Sequence, residues 1–473
     1  SDNVPAFNSN GYGGTYSDNI VGDPVLSADK MSVTLQYKKK IANWDLFGPG
    51  PSPVHTLVLL SEGKKGLQSV KENEAARDRF LAAYNSKNTA VLKAIGKVWS
   101  EAYNITEVND KTNPLLFVGN GGFLVDSAVT KSSVTLKKNS RYNSGPALSG
   151  TVDTVIFKFI SDGTAASQAL ANGELDIYAG QATADAVAAL KKISNVTVKG
   201  GIQSCYEHWD TRVSNAPGQP DYNGIFKGHG GKGADLRRAF LLAIPREEIT
   251  EKLIRPINPD AVVLGSTFLS PGQEGYDRLV ANNGSNFYVG SQDALNAKAL
   301  RLVKKHFPTA SADNKVVKVR LLWGQPSNTR RASEAALIKA ETAKAGFDVD
   351  ATGTSGWSGF LDSNNYDAQF FAWCPTSTSQ TGTNANFQSD GGNNFLGYNN
   401  PAVDDILKSL EQKLTPAQIT AKYLAVEKYL IADALTLPIF QHPAATAVNS
   451  ALKNVKPAPL SPTLVWNFWE WKY

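Results

Sequence analysis

The sequence predicts an α/β protein of two or three compact units, and three observations carry that expectation. Hydrophobic periodicity switches repeatedly between 2 and 3.6 residues, which marks alternating strands and helices rather than a bundle or a sandwich. The 473 residues exceed what one core usually serves, at about 100–200 residues per domain. No apolar run approaches the roughly 18 residues of a membrane span, and residues 1–20 are polar and Gly/Asn-rich without a signal-peptide core. The 48 Lys+Arg and 43 Asp+Glu are spread without a like-charge block, so a nucleic-acid partner is not expected.

The elements follow in order. Residues 32–38 alternate apolar and polar like a half-buried strand, and so abrupt an opening looks like the middle of a larger protein. Residues 67–104, through Leu67, Phe80, Leu92 and Trp99, have helical spacing and read as a helical insert. Strands are predicted at 123–125, 134–136 and 152–160, the last apolar enough for a sheet interior, with a turn at 143–146. A helix over 164–170 stops at Asn172-Gly173 and a strand follows over 174–178. Asp235 is positioned to cap a helix to about residue 243, and Pro245 opens another. Helices at 291–306 and 331–345 and strands at 316–323, 347–351 and 366–373 outline a second α/β lobe. Residues 401–410 and 416–434 are helical, and the tail ends on Trp466, Phe468, Trp469 and Trp471, too apolar to be left undocked.

Motifs for catalysis or cofactors are weak. Gly228-His-Gly230-Gly-Lys-Gly233 satisfies GxGxxG, but no strand precedes it and no Ser/Thr follows Lys232, so it reads as a surface loop. His55, His208, His229, His306 and His442 are scattered without metal-ligand spacing, and no metal or cofactor is expected. Ser358 lacks a nucleophile-elbow context. A glycoside-processing enzyme needs two carboxylates across a cleft; Asp362 and Asp367 sit among aromatics, yet the sequence does not place such a pair. Cys205 and Cys374 have no CxxC spacing, leaving buried thiols or a bridge open.

Several stretches, taken together and in order, resemble the extracytoplasmic solute-binding proteins of ABC importers, in the oligopeptide- and dipeptide-binding family (family 5, cluster C). They are Gly121-Gly-Phe123 with Ser133 to Tyr142, Val152 to Phe157 with Ala169 to Asp176, and Leu236 to Ile249, where Pro245 replaces the usual Asp. Trp357 to Leu361, Tyr366 to Trp373, Gly397 to Asp404 and Leu437-Pro438-Ile439 continue the series.

The resemblance implies a two-lobed periplasmic-binding-protein fold of type II, the Venus flytrap, with its first lobe incomplete because the family's N-terminal section is missing. Residues 1–204 would form the partial first lobe, 205–442 the second, and 443–473 the return to the first. It implies no catalysis: an oligopeptide or other small extended ligand is enclosed between the lobes and passed to the ABC permease membrane subunits. The protein would be a monomer outside the cytoplasm, in the periplasm or on the cell surface, lipid-anchored in its full-length precursor. Implied contacts are Trp357 and Trp373 as flat walls, Cys374, Pro375 and Thr376, and Phe440, Gln441 and His442 on the crossover strand. Arg330 or Arg331 would meet a ligand carboxylate. A Cys205–Cys374 disulfide is implied as well. Family peptide binders often carry an Asp three residues after the motif Trp for the ligand α-ammonium, but Thr376 stands there. That departure keeps an oligosaccharide binder of the same transporter class as an alternative.

Overall fold

In the computed structural model, which describes residues 19–29, 31–44, 52–215, 219, 221–324 and 326–473, two long strands organise the molecule. Val196–Thr211 and Thr436–Asn449 run antiparallel through the middle of a six-stranded sheet. Ile177–Tyr178 flanks the second of them, while Ala368–Trp373, Val317–Leu322 and Phe347–Asp350 follow beyond the first. Pairing extends from Thr436 opposite Asp210 to Asn449 opposite Val196, with register shifts at Pro438/Phe440 and Gln441/Pro443. Proline has no N–H for a ladder, so a central strand tolerates Pro438 and Pro443 where the ladder is already interrupted.

The environment of the first long strand changes along its length. Residues 196–204 are exposed or half-buried, whereas 205–211 are buried. On the buried side Ala368–Trp373 pairs antiparallel with 206–211 and parallel with Val317–Leu322, which pairs parallel with Phe347–Asp350. Parallel neighbours require a crossover, and Thr329–Ala343 supplies the last one, capped by Asn328 and ended by Gly346 at φ +83°. Trp209 joins Phe240, Phe347, Phe370 and Leu437 in one core, its indole stacked 4.5 Å from Phe370. A second core around Tyr398, Val403, Val426 and Leu435 lies under Pro401–Ser409 and Pro416–Ala432. The latter helix opens with a Thr415/Gln418 capping box.

At the other end, Phe123–Val129, Ser133–Lys138 and Thr154–Lys158 form an antiparallel sheet. Val54–Ser61, Val70–Asn85 and Thr89–Glu101 pack around Leu57, Leu59, Ala76, Ile95 and Leu115. The C-terminal segment comes to this end. Trp471 is buried with Val448, Leu452 and Val455, and the Trp469 and Trp471 carbonyls accept from the amides of Gly150 (2.7 Å) and Thr151 (3.0 Å). The result is a two-lobed α/β molecule whose lobes share one sheet through the paired long strands.

Several sequence expectations are corrected. The strand expected over 152–160 is Thr154–Lys158, and it is largely exposed rather than interior. The strand over 32–38 shortens to Val33–Thr34, paired with Val25–Leu26. The helical segment starts earlier than residue 67, at Val54, because Pro53 precedes an apolar stretch that the three-helix core buries. Helix Gly231–Leu242 begins inside the GxGxxG stretch, so Asp235 is in its second turn rather than its cap. The first long strand runs through Cys205, and no local pattern marks its length because its open half carries Gly200 and Gly201.

Candidate ligand-binding cleft

The site is built where the sheet's buried half meets its open half. Ala368–Trp373 ends there, and Cys374, the next residue, is bonded to Cys205 with a Cα–Cα distance of 4.0 Å. The implied disulfide is therefore present, tying the first long strand to its neighbour where the two emerge from the core.

Beside it lies an aromatic wall. Trp357, on the turn Trp357–Phe360, lies 5.3 Å from Phe371. A Cβ on Gly324 would fall 1.5 Å from Trp357 Cδ1, so the ring keeps its place only because residue 324 has no side chain. Trp373 packs edge-on to Phe371 at 4.9 Å and nearly parallel to both His208 (5.8 Å) and Phe395 (6.3 Å). Trp357 and Trp373 are half-buried, so part of each indole remains open to solvent.

The remaining expected positions fall into different surroundings. Thr376 and Pro375 are exposed, and the Pro375 carbonyl accepts from Ser461 N at 3.0 Å. Gln441 is half-buried, its amide 3.4 Å from the Gln203 carbonyl. Phe440 is wholly buried in the large core, beneath the Arg330 guanidinium at 5.3 Å.

Arg330 and Arg331 are buried and already paired. Glu207, fully enclosed on the first long strand, accepts from Arg331 Nε at 2.9 Å, Arg330 Nη2 at 3.1 Å and His442 Nε2 at 2.7 Å. Burial pushes the Glu207 carboxyl up, but the His442 hydrogen bond and the two guanidiniums outweigh it and hold the group well below the usual carboxylate range. Glu334, one turn along the helix from Arg330 and 3.2 Å from its Nε, shows the opposite: burial, then the Glu207 charge, pushes it up to about 8. Burial and the neighbouring Arg330 charge push His442 down. The cluster thus joins both long strands to the helix Thr329–Ala343 through one ionised and one neutral carboxyl.

On the opposite face of the same strand lies a second polar group. His208 Nδ1 is 3.0 Å from Asp210 Oδ1, and Gln369 Nε2 donates to Asp210 Oδ2 at 3.2 Å. Sequence reading singled out neither Glu207 nor Asp210 nor Gln369, and saw His208 only as a histidine outside any metal spacing. The available signal was the charge density of residues 207–212, Glu-His-Trp-Asp-Thr-Arg, inside a strand bound for the interior.

Comparison with known proteins places this geometry among relatives. The model of bacterial extracellular solute-binding proteins, family 5 (middle), matches residues 50–395. The oligopeptide-binding protein OppA of Mycobacterium tuberculosis is 25% identical over 248 residues, covering 51% of this chain and 41% of its own length. The chain thus spans well under half the length of that curated relative. Among solved structures, a periplasmic EDTA-binding protein, EppA, superposes with a TM-score of 0.71 at 19% identity, covering 97% of this chain and 76% of that one. The oligopeptide-binding protein AppA of Bacillus subtilis, solved with a nonapeptide, gives 0.60 at 19% identity, with coverage of 80% and 69%.

Proposed function

Since the chain belongs to the bacterial extracellular solute-binding proteins of family 5, we propose that it captures an oligopeptide between its lobes, outside the cytoplasm, for delivery to an ABC permease. The observation that carries this reading is the half-exposed aromatic wall of Trp357 and Trp373 at the mouth of a sheet shared by both lobes. Flat apolar faces beside strand edges suit an extended chain, whose side chains need grease and whose backbone needs hydrogen bonds. Relatives named for peptide binding support the choice of guest. The EDTA binder with the same fold makes the guest a matter of this chain's own residues rather than of architecture.

In this reading the lobes comprise residues 1–204 and 205–442, the tail 443–473 returns to the first, and the monomer does no bond-making. Its full-length precursor is lipid-anchored. Trp357 and Trp373 wall the guest, and Cys374, Pro375, Thr376, Gln441 and His442 lie within reach. Arg330 and Arg331 act through Glu207, fixing the strands rather than pairing with a ligand carboxylate. A ligand that touches both lobes favours the closed arrangement by its differential affinity.

The test is calorimetry against pools of tri- to nonapeptides and against oligosaccharides, with native mass spectrometry of the purified protein to identify any guest carried along. Saturable one-to-one binding of peptides is expected. Binding of glycans with none of peptides would replace this reading with the sugar-binding one.

A further inference from the structure

The first long strand carries polar groups on its aromatic side that the fold alone does not use. Side chains alternate across a strand, so Tyr206, His208 and Asp210 share one face, and Gln369, Phe371 and Trp373 lie opposite Asp210, His208 and Tyr206 in the register of the neighbouring strand. Three of these residues keep a buried polar atom without a hydrogen-bond partner among the described residues: Tyr206 Oη, His208 Nε2 and Gln369 Oε1. The residues themselves are 6%, 1% and 1% exposed. Leaving one such atom unmet costs about 1–3 kcal/mol, so three on one face mark a place that something polar fills.

Asp210 decides what kind of group fits. A carboxylate only accepts, so Gln369 must turn its Nε2 toward Asp210 Oδ2 and its Oε1 away. With Nδ1–H donating to Asp210 Oδ1, a neutral His208 ring presents Nε2 as a lone pair. Two acceptors and a hydroxyl thus share the sheet face that carries the buried Asp210 carboxylate. Arg212, next on this face, donates from Nη1 and Nη2 to Asn364, Tyr366 and the carbonyls of Leu361 and Phe395, while its buried Nε has no partner among the described residues. The half-buried Trp373 ring stacks on His208 with centroids 5.8 Å apart, at the edge of the cluster.

We propose that Tyr206, His208 and Gln369, backed by Asp210, form a subsite for an ammonium group of the guest. A guest ammonium donates to His208 Nε2 and Gln369 Oε1 and meets the acceptors that the fold leaves without a partner. The inference rests on the peptide-binding reading and supplies the negative charge that Thr376 does not. The ammonium has two possible sources in a peptide, a lysine side chain or the α-amino group.

Four tripeptides separate those sources: Ala-Lys-Ala and Ala-norleucine-Ala, each with a free or an acetylated N-terminus. Calorimetry is expected to show at least one ammonium-bearing arm binding about tenfold or more tighter than acetyl-Ala-norleucine-Ala, and the arm identifies the source. In Asp210→Asn the ratio between those two peptides should fall toward one. Gln369→Met, which removes an acceptor while keeping the shape, should lower the same ratio and carries the test if the first variant does not fold by circular dichroism. Equal binding of all four peptides, or a ratio unmoved in a folded variant, overturns the subsite. If no peptide binds, the peptide reading fails by itself. The subsite is then decided by a crystal structure with butylammonium as probe, where nitrogen density beside His208 Nε2 and Gln369 Oε1 supports it and water alone there overturns it.

Discussion

Replacing Glu207 by Gln tests whether the buried ion cluster holds the long strands to the second lobe. The carboxylate accepts at both oxygens, Oε1 from Arg331 and Oε2 from Arg330 and His442. An amide cannot reproduce this, because in either orientation its NH2 faces a donor. Arg330 and Arg331 are only 3% and 8% exposed, so the orphaned guanidiniums gain little from water. Removing one partner of a buried pair costs about 3–5 kcal/mol. Glu334 offsets part of that loss. Its carboxyl is kept neutral by burial and then by the Glu207 charge, so losing that charge lets it ionise beside Arg330. We therefore expect Glu207→Gln to lose about 3 kcal/mol, the lower end of that range. The double variant with Glu334→Gln, which leaves two guanidiniums without a carboxylate, should lose more than the sum of the single changes. Guanidinium chloride unfolding followed by tryptophan fluorescence reads both. A loss below about 1 kcal/mol for Glu207→Gln, the level of a surface pair, would refute the reasoning.

The same cluster gives a pH dependence. Glu334 is pushed from an ordinary value of 4.5 up to about 8, so the stability linked to its protonated form is complete below about 4.5 and is lost as pH rises toward 8. Wild type should therefore lose stability relative to Glu334→Gln between pH 5 and 8; thermal unfolding across that window checks it, and a constant difference would sink it. The disulfide spans 169 residues, so reduction should cost up to about 5 kcal/mol in the chain-entropy model. Unfolding with and without reductant measures this, and Cys205→Ser should match the reduced protein.

How much of this was legible depended on where the signal sits. Helices with local punctuation were readable: Asn172-Gly173 ends its helix, and Gly346 ends another. Strands that alternate, such as Ser133–Lys138, were readable too. The two long strands were not: the first passes from an open half into a buried one, and the second is buried almost throughout but broken by Pro438, Pro443 and two register shifts, so neither keeps a single period. Thr154–Lys158 misled for a related reason: Val155, Ile156 and Phe157 look interior, and burial is a tertiary fact. The resemblance implied the disulfide, which is present, and offered Trp357 and Trp373 as candidate walls, whereas it gave no sign of the Glu207 and Asp210 clusters. Each depends on cross-strand or strand-to-helix contacts more than 100 residues apart, which no local pattern encodes.

Those clusters also limit where the lobes can pivot. Residues 205–210 are pinned by the disulfide, by Glu207 on one face and by Asp210 on the other, so bending there would break several buried bonds at once. The stretch just before is different. Gly200 and Gly201 are exposed, pair with Ala445 and Ala444, and have open space where a Cβ would stand. No close approach requires glycine at either position, so what it contributes is backbone freedom. If the lobes close about this point, a Gly200→Val/Gly201→Val double variant should fold as stably as wild type or better, since β-branched residues favour the extended strand and narrow the unfolded ensemble. It should also open and close more slowly, seen as slower guest association and dissociation in stopped-flow fluorescence of the cleft tryptophans. Unchanged rates in a folded variant would move the pivot elsewhere on the paired strands.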